Sequence, residues 1–124
     1  TPPPMTSEPA AAIILAGGFA VSVWAMAVNK FFSSVVRIQK EREHNVVTIG
    51  PYRLVRHPSY AGAVWAYLAF PFMVGALWAL VPAVLLVIVL MIRTALEDRT
   101  LRQELPGYEE YAQKTRYRLF PSIW

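Results

Sequence analysis

Two uncharged runs decide what this chain can fold into. Ala10 to Val28 is 19 residues without a charge, and Ala61 to Ile92 is 32. A helix rises about 1.5 Å per residue, so the first run is long enough to cross a hydrocarbon core of roughly 30 Å. No basic region precedes it, which sets it apart from a cleaved signal peptide and predicts a transmembrane helix over 10–28. Asn29, Lys30, Phe31 and Phe32 close that helix at the interface. As one straight helix the second run would extend about 48 Å, well beyond the core. It reads better as a hairpin over 59–98 turning near Gly75, each arm borrowing length from its polar flanks. Pro71 and Pro82 are expected to kink the arms. A single tilted, kinked helix is the alternative.

The charges discriminate between the two. All 12 basic residues fall in two segments. Lys30, Arg37, Lys40, Arg42, Arg53 and Arg56 lie in the first polar region; Arg93, Arg99, Arg102, Lys114, Arg116 and Arg118 lie in the last. A hairpin returns both segments to the cytoplasmic face, where positive charge collects, whereas a single helix separates them. An all-α membrane protein is therefore expected: a transmembrane helix, a structured cytoplasmic loop, a helical hairpin and a C-terminal amphipathic helix. The composition agrees, being 56% hydrophobic and 16% charged with a mean hydropathy of +0.37. Thr1 to Pro9 is proline-rich and reads as a disordered lead-in to a single membrane-embedded domain over 10–124. A first residue other than methionine is expected of a processed or shortened piece of a longer chain.

Several function classes drop out. Without cysteine there is no disulfide or thiolate metal site, and His44 and His57 are too few for a metal site of their own. A net charge of +4 invites nucleic acid, but Glu97, Asp98, Glu104, Glu109 and Glu110 nearly cancel the cations of the basic tail. No glycine-rich phosphate loop or nucleophile pattern is present.

What remains is the density of special residues from Gly50 to Gly62. Gly50-Pro51 signals a turn, and Pro58 extends His57 and can open a helix. Arg53, Arg56, His57 and Tyr60 thus sit where irregular backbone meets an apolar segment. Val46-Val47-Thr48-Ile49, just before, reads as one extended stretch. Arg93 and Glu97 are four apart and share a helix face, either as an interfacial ion pair or pointing into a cleft against the Gly50–Tyr60 loop. Asp98, one step round, is expected to point elsewhere and be solvated. His57 has no acid beside it in sequence, which favours a structural hydrogen bond over general-base work. Tyr52 and Tyr60 suit interface anchoring or stacking on a planar ring or cation. The C-terminal helix should break at Pro106-Gly107. Tyr108, Tyr111, Tyr117 and Trp124 suit the headgroup region, with Leu119-Phe120-Pro121 packing back.

Gly50-Pro51-Tyr52-Arg53, followed by Arg56-His57-Pro58-Ser59-Tyr60 and Gly62, resembles the signature of the isoprenylcysteine carboxyl methyltransferases. Related membrane phospholipid methyltransferases carry a looser version. The likeness runs from about Val36 to Pro121 and points to a prokaryotic-type member or fragment. It implies a multi-pass integral membrane enzyme using S-adenosylmethionine, its active site facing the cytoplasm. The implied cofactor contacts are Gln39, His44, Val46, Val47, Tyr52, His57, Pro58, Ser59, Tyr60 and Glu97. The implied substrate-carboxylate residue is Arg93, which with Glu97 forms the catalytic pair. The implied acceptor is a lipophilic or prenylated molecule, with membrane lipids as surroundings, no metal and no nucleic acid. Three departures stand out: the loop before His44 differs in length, the paired glutamates appear as Glu97-Asp98, and Pro106-Gly107 replaces a phenylalanine-glycine pattern. Alternatives are a phospholipid amine N-methyltransferase, a sterol-reductase-like enzyme using a reduced nicotinamide cofactor, and a non-catalytic membrane module. The oligomeric state is left open.

Overall fold

The computed structural model describes residues 7–31, 38–39 and 44–124. The lead-in 1–6, Phe32, Arg37 and the charged cluster 40–43 lie outside the described residues. Four helices carry the fold: α1 (Ser7–Val28), α2 (Pro58–Val74), α3 (Leu80–Glu104) and α4 (Tyr108–Lys114), and there is no strand among the described residues. α1 begins three residues before the apolar run, with Pro9 in its first turn. A proline costs nothing there, because the first backbone N–H groups of a helix have no intrahelical partner.

α2 and α3 form the hairpin. Gly75 closes α2 in the left-handed region (φ 70°), and the N–H groups of Gly75 and Ala76 both bond the Pro71 carbonyl. A short 3-10 turn, Leu77–Ala79, then leads into α3. The arms do borrow length from their flanks: α2 starts at Pro58, and α3 runs on to Glu104. Pro71 lies inside α2 as expected. Pro82 also lies inside an arm, but in the first turn of α3, where its missing N–H breaks no bond.

α1 packs along α2, and the sequence permits this because glycine faces glycine. A methyl group built on Gly18 would run into the Gly62 carbonyl, and one on Gly62 into the Gly18 carbonyl. Small residues at such a crossing let two backbones touch, the usual means of packing helices where lipid removes the hydrophobic drive. Ser22 on α1 adds a hydrogen bond from its Oγ to the Ser59 carbonyl at 2.7 Å.

Outward, the helices are apolar. Ile13 and Phe19 on α1, and Val81, Leu85 and Val89 on α3, are all more than half exposed. Two stretches, Glu8–Val28 and Leu77–Glu104, are long and apolar enough to cross a membrane. The chain is an all-α membrane protein. Its polar residues gather at one end, where α3 stops at a buried Leu105 and Gly107 (φ 85°) turns the chain into α4. The tail then folds back: Leu119 is buried against Val55, Ala61 and Val64. Tyr108 and Tyr111 are not headgroup residues. Both are buried in a core with Ala25, Tyr52, Leu105 and Ala112, because the chain turns after α3 and packs α4 back against it.

Candidate functional site

The Gly50–Gly62 stretch builds the site by its backbone first. Gly50 (φ 62°) opens a 3-10 turn, Gly50–Arg53, which buries Tyr52. His57 (φ −129°, ψ 65°) is held out of the helical region before Pro58, so the N–H groups of Arg56 and His57 do not join a helix. They donate instead to the carbonyls of Tyr117 (2.8 Å) and Arg118 (2.9 Å) in the C-terminal tail. A segment some sixty residues distant thereby completes the loop.

The side chains follow. Arg56 is buried and sends Nε and Nη2 to the two oxygens of Asp98, at 2.8 and 2.7 Å. Its Nη1 donates to the carbonyls of Thr115 (3.2 Å) and Arg116 (3.0 Å). Asp98 Oδ1 also lies 3.0 Å from His57 Nε2 and accepts from the Tyr108 hydroxyl at 3.1 Å. Asp98 is therefore not solvated: it is 1% exposed, covered by α4 and the returning tail. His57 does find an acid, but from α3. The Tyr108 phenol is pushed well above its ordinary pKa, by burial first and by the Asp98 charge next, so it stays a donor.

On the other side of α3's polar end stands the second group. Tyr60 donates its hydroxyl to Glu97 Oε2 at 2.6 Å and accepts from Arg93 Nε at 2.8 Å. The Arg93 guanidinium lies 5.8 Å from the centre of the Tyr60 ring. The expected shared face of Arg93 and Glu97 is real, and a tyrosine from α2 bridges the pair.

Arg56, His57, Tyr60, Glu97 and Tyr108 border one cavity, narrow in this structure at about 60 Å³. Of the residues singled out in the sequence, His44, Val46, Val47, Tyr52, His57, Ser59, Tyr60 and Glu97 line it. Three do not. Gln39 is buried behind the wall, where its Nε2 donates to the Phe31 carbonyl at 2.7 Å and its backbone N–H to His44 Nδ1 at 3.0 Å. That pair of bonds steadies His44, whose ring stacks on Phe31 with centroids 4.2 Å apart. Pro58 faces away, into an apolar groove with Gly18, Ala61 and Trp65. Arg93 stands outside the lining, half-buried and joined to it through Tyr60.

The other lining residues were not among the expected contacts: Asn29, Phe31, Asn45, Arg56, Thr100, Leu101, Leu105, Tyr108 and Tyr111. Thr100 and Leu101 lie three and four residues after Glu97, so helical spacing could have found them. Asn29 donates its Nδ2 to the Tyr52 hydroxyl at 3.0 Å; an amide closing an apolar run was the signal. Burial raises the Tyr52 phenol, and the Asn29 bond partly offsets this. Tyr111, whose hydroxyl donates to the Tyr52 carbonyl at 2.6 Å, comes from α4 and left no local trace. The cavity thus joins a carboxylate and hydroxyls with aromatic faces, and a guanidinium stands at its edge. No group of metal-ligating side chains occurs among the described residues.

Comparison with known proteins identifies the family. The family model for isoprenylcysteine carboxyl methyltransferases matches residues 10–103. The chain is 35% identical over 91 residues to a protein of Oryza sativa subsp. indica named "Probable protein-S-isoprenylcysteine O-methyltransferase", covering 72% of this chain and 48% of that one. It is 30% identical over 91 residues to protein-S-isoprenylcysteine O-methyltransferase B of Arabidopsis thaliana, covering 72% and 46%. The chain spans about half the length of these curated relatives. The matched region covers nearly all of α1 and α3, the whole of α2 and the loop that carries the cavity. On these grounds the chain belongs to the isoprenylcysteine carboxyl methyltransferase family.

Proposed function

We propose that this chain is a membrane methyltransferase that uses S-adenosylmethionine to methylate the carboxylate of a lipophilic, isoprenylcysteine-like acceptor. The observation that carries the reading is the Arg93–Tyr60–Glu97 relay at the edge of a cavity built by the Gly50–Gly62 loop. Family membership and the names of the relatives support the chemistry.

The donor set fits such a cofactor. Glu97 offers a carboxylate to cationic groups, Ser59 and Asn45 offer polar contacts for a diol or ring edge, and Tyr52 and His57 offer flat faces. Admission of a ligand that large requires the wall to move outward, and Asn45–Val47 is the part without regular secondary structure. When bound, S-adenosylmethionine supplies an electrophilic methyl group that a carboxylate can take up with no proton to move. The protein's work is then orientation and exclusion of water. Tyr60 holds Glu97 on the cavity side and Arg93 on the outer side, dividing cofactor from acceptor. Arg93 brings a planar guanidinium, suited to binding a carboxylate by a pair of parallel bonds. The polar end of the bundle lies on the cytoplasmic side, as the partition of basic residues favours.

Calorimetry on detergent-solubilised protein tests this with S-adenosylhomocysteine, reduced nicotinamide dinucleotide phosphate and a farnesylcysteine analogue. The first should bind and the second should not. Arg93→Lys should spare binding of S-adenosylhomocysteine and lower methyl transfer to the farnesylcysteine carboxylate by about tenfold, the loss of one strong charge-assisted hydrogen bond. Binding of the nicotinamide cofactor alone, or equal loss of S-adenosylhomocysteine binding in Arg93→Lys and Tyr60→Ala, would overturn the assignment.

A further inference from the structure

Behind Asp98, away from the cavity, the end of α3 and the C-terminal tail enclose an open cleft of about 460 Å³, lined by Ala95, Asp98, Arg99, Arg102, Glu109 and Arg118. Four arginines, counting Arg56, surround two carboxylates there, and both carboxylates are already engaged. Asp98 takes Arg56 through both oxygens, together with His57 and Tyr108. Glu109 takes Arg102 through both of its own, each at 2.7 Å. The other two guanidiniums are not compensated in this way. Arg99 is exposed and makes no hydrogen bond or ion pair among the described residues. Arg118 lies 3.3 Å from Asp98 Oδ2, but its buried Nε makes no hydrogen bond. The cleft therefore presents excess positive charge with donors to spare.

Its position is equally specific. Along α3 the exposed apolar residues Val81, Leu85, Val89, Ile92 and Leu96 are spaced by three or four, which makes one stripe down the helix. At about 100° per residue, Arg99 continues that stripe as its next member. The side of α3 that meets lipid thus ends on an arginine at the polar end of the bundle. Beside it, the Arg118 guanidinium lies 5.0 Å from the centre of the Trp124 ring, and tryptophan is enriched at membrane interfaces.

We propose that this cleft binds the phosphate of an anionic phospholipid whose acyl chains lie along the α3 stripe. The apolar stripe and the cationic end match the two halves of such a molecule in the order in which a bilayer presents them. Basic residues at a membrane surface each favour anionic lipid by about 1 kcal/mol, or roughly fivefold. The site is separate from the methyl-transfer cavity and does not depend on the reaction assigned there.

Electron spin resonance on protein in phosphatidylcholine nanodiscs, with spin-labelled phosphatidylglycerol or phosphatidylcholine as probe, tests the proposal. Wild type should immobilise the anionic phosphatidylglycerol preferentially. Arg99→Gln, at an exposed residue without a partner, should fold normally and reduce that preference about fivefold. Arg53→Gln, an exposed arginine outside the cleft, should reduce it clearly less than Arg99→Gln does. No preference in wild type, equal effects of Arg99→Gln and Arg53→Gln, or exchange of the label for a second copy of the chain would overturn the proposal. Displacement of the labelled lipid by inorganic phosphate at millimolar concentration would do so as well, by assigning the cleft to a free phosphate.

Discussion

At Asp98 a single carboxylate meets two nitrogens of Arg56, the imidazole of His57 and the phenol of Tyr108, all out of reach of water. Removing one partner of a buried ion pair strands the other, at a cost of about 3–5 kcal/mol. Asp98→Ala should therefore lower thermal stability in detergent severely, and Asp98→Asn should do so as well, since Arg56 keeps its charge. Glu97→Gln, on a half-exposed acid, should leave the melting temperature nearly unchanged and weaken S-adenosylhomocysteine by about tenfold or more, the worth of a charge-assisted bond. Equal melting curves for Asp98→Asn and Glu97→Gln would contradict this ranking. The sequence supports Glu97 as a site residue through its spacing from Arg93. It misplaces Asp98, because the face one step round α3 looks free until α4 and the tail cover it. That cover comes from Tyr108 and from Thr115 to Arg118, and nothing near Asp98 announces it.

At the scale of elements, the α1–α2 crossing tolerates no side chain larger than hydrogen. Gly62→Val should push the helices apart and destabilise the fold by several kcal/mol, in the way overpacked cores do, at about 1–3 kcal/mol for each forced shift. Gly75→Ala should cost only about 1–2 kcal/mol, the price of a left-handed residue with a Cβ. Unfolding measured in detergent should rank Gly62→Val well above Gly75→Ala; the reverse order would mean that the turn, not the crossing, holds the bundle. The hairpin is legible from the length of the uncharged run and the side on which the charges fall. The start of α3 is less so. Pro82 reads as a kink only if the arm is assumed to begin earlier, and the Leu77–Ala79 turn removes that assumption.

For the molecule as a whole, the placement of the basic residues predicts a common side for both polar segments. The chain has no cysteine, so single cysteines at Arg53, Trp78 and Arg116 would report cleanly to an impermeant thiol reagent. Positions 53 and 116 should label from the same face and position 78 from the other; all three on one face would exclude the membrane-crossing hairpin. The bonds from Arg56 and His57 to the Tyr117 and Arg118 carbonyls carry a further consequence, one of timing. During synthesis the loop at 50–62 leaves the ribosome long before its partners do. Until residues 117 and 118 emerge, the backbone donors of Arg56 and His57 can bond only to water, and Asp98 has not gained its cover. The helices can therefore enter the bilayer early, while the cavity is assembled last, as a separate event at the membrane surface. A stalled or truncated chain that ends before Tyr117 would be inserted but would lack a finished site.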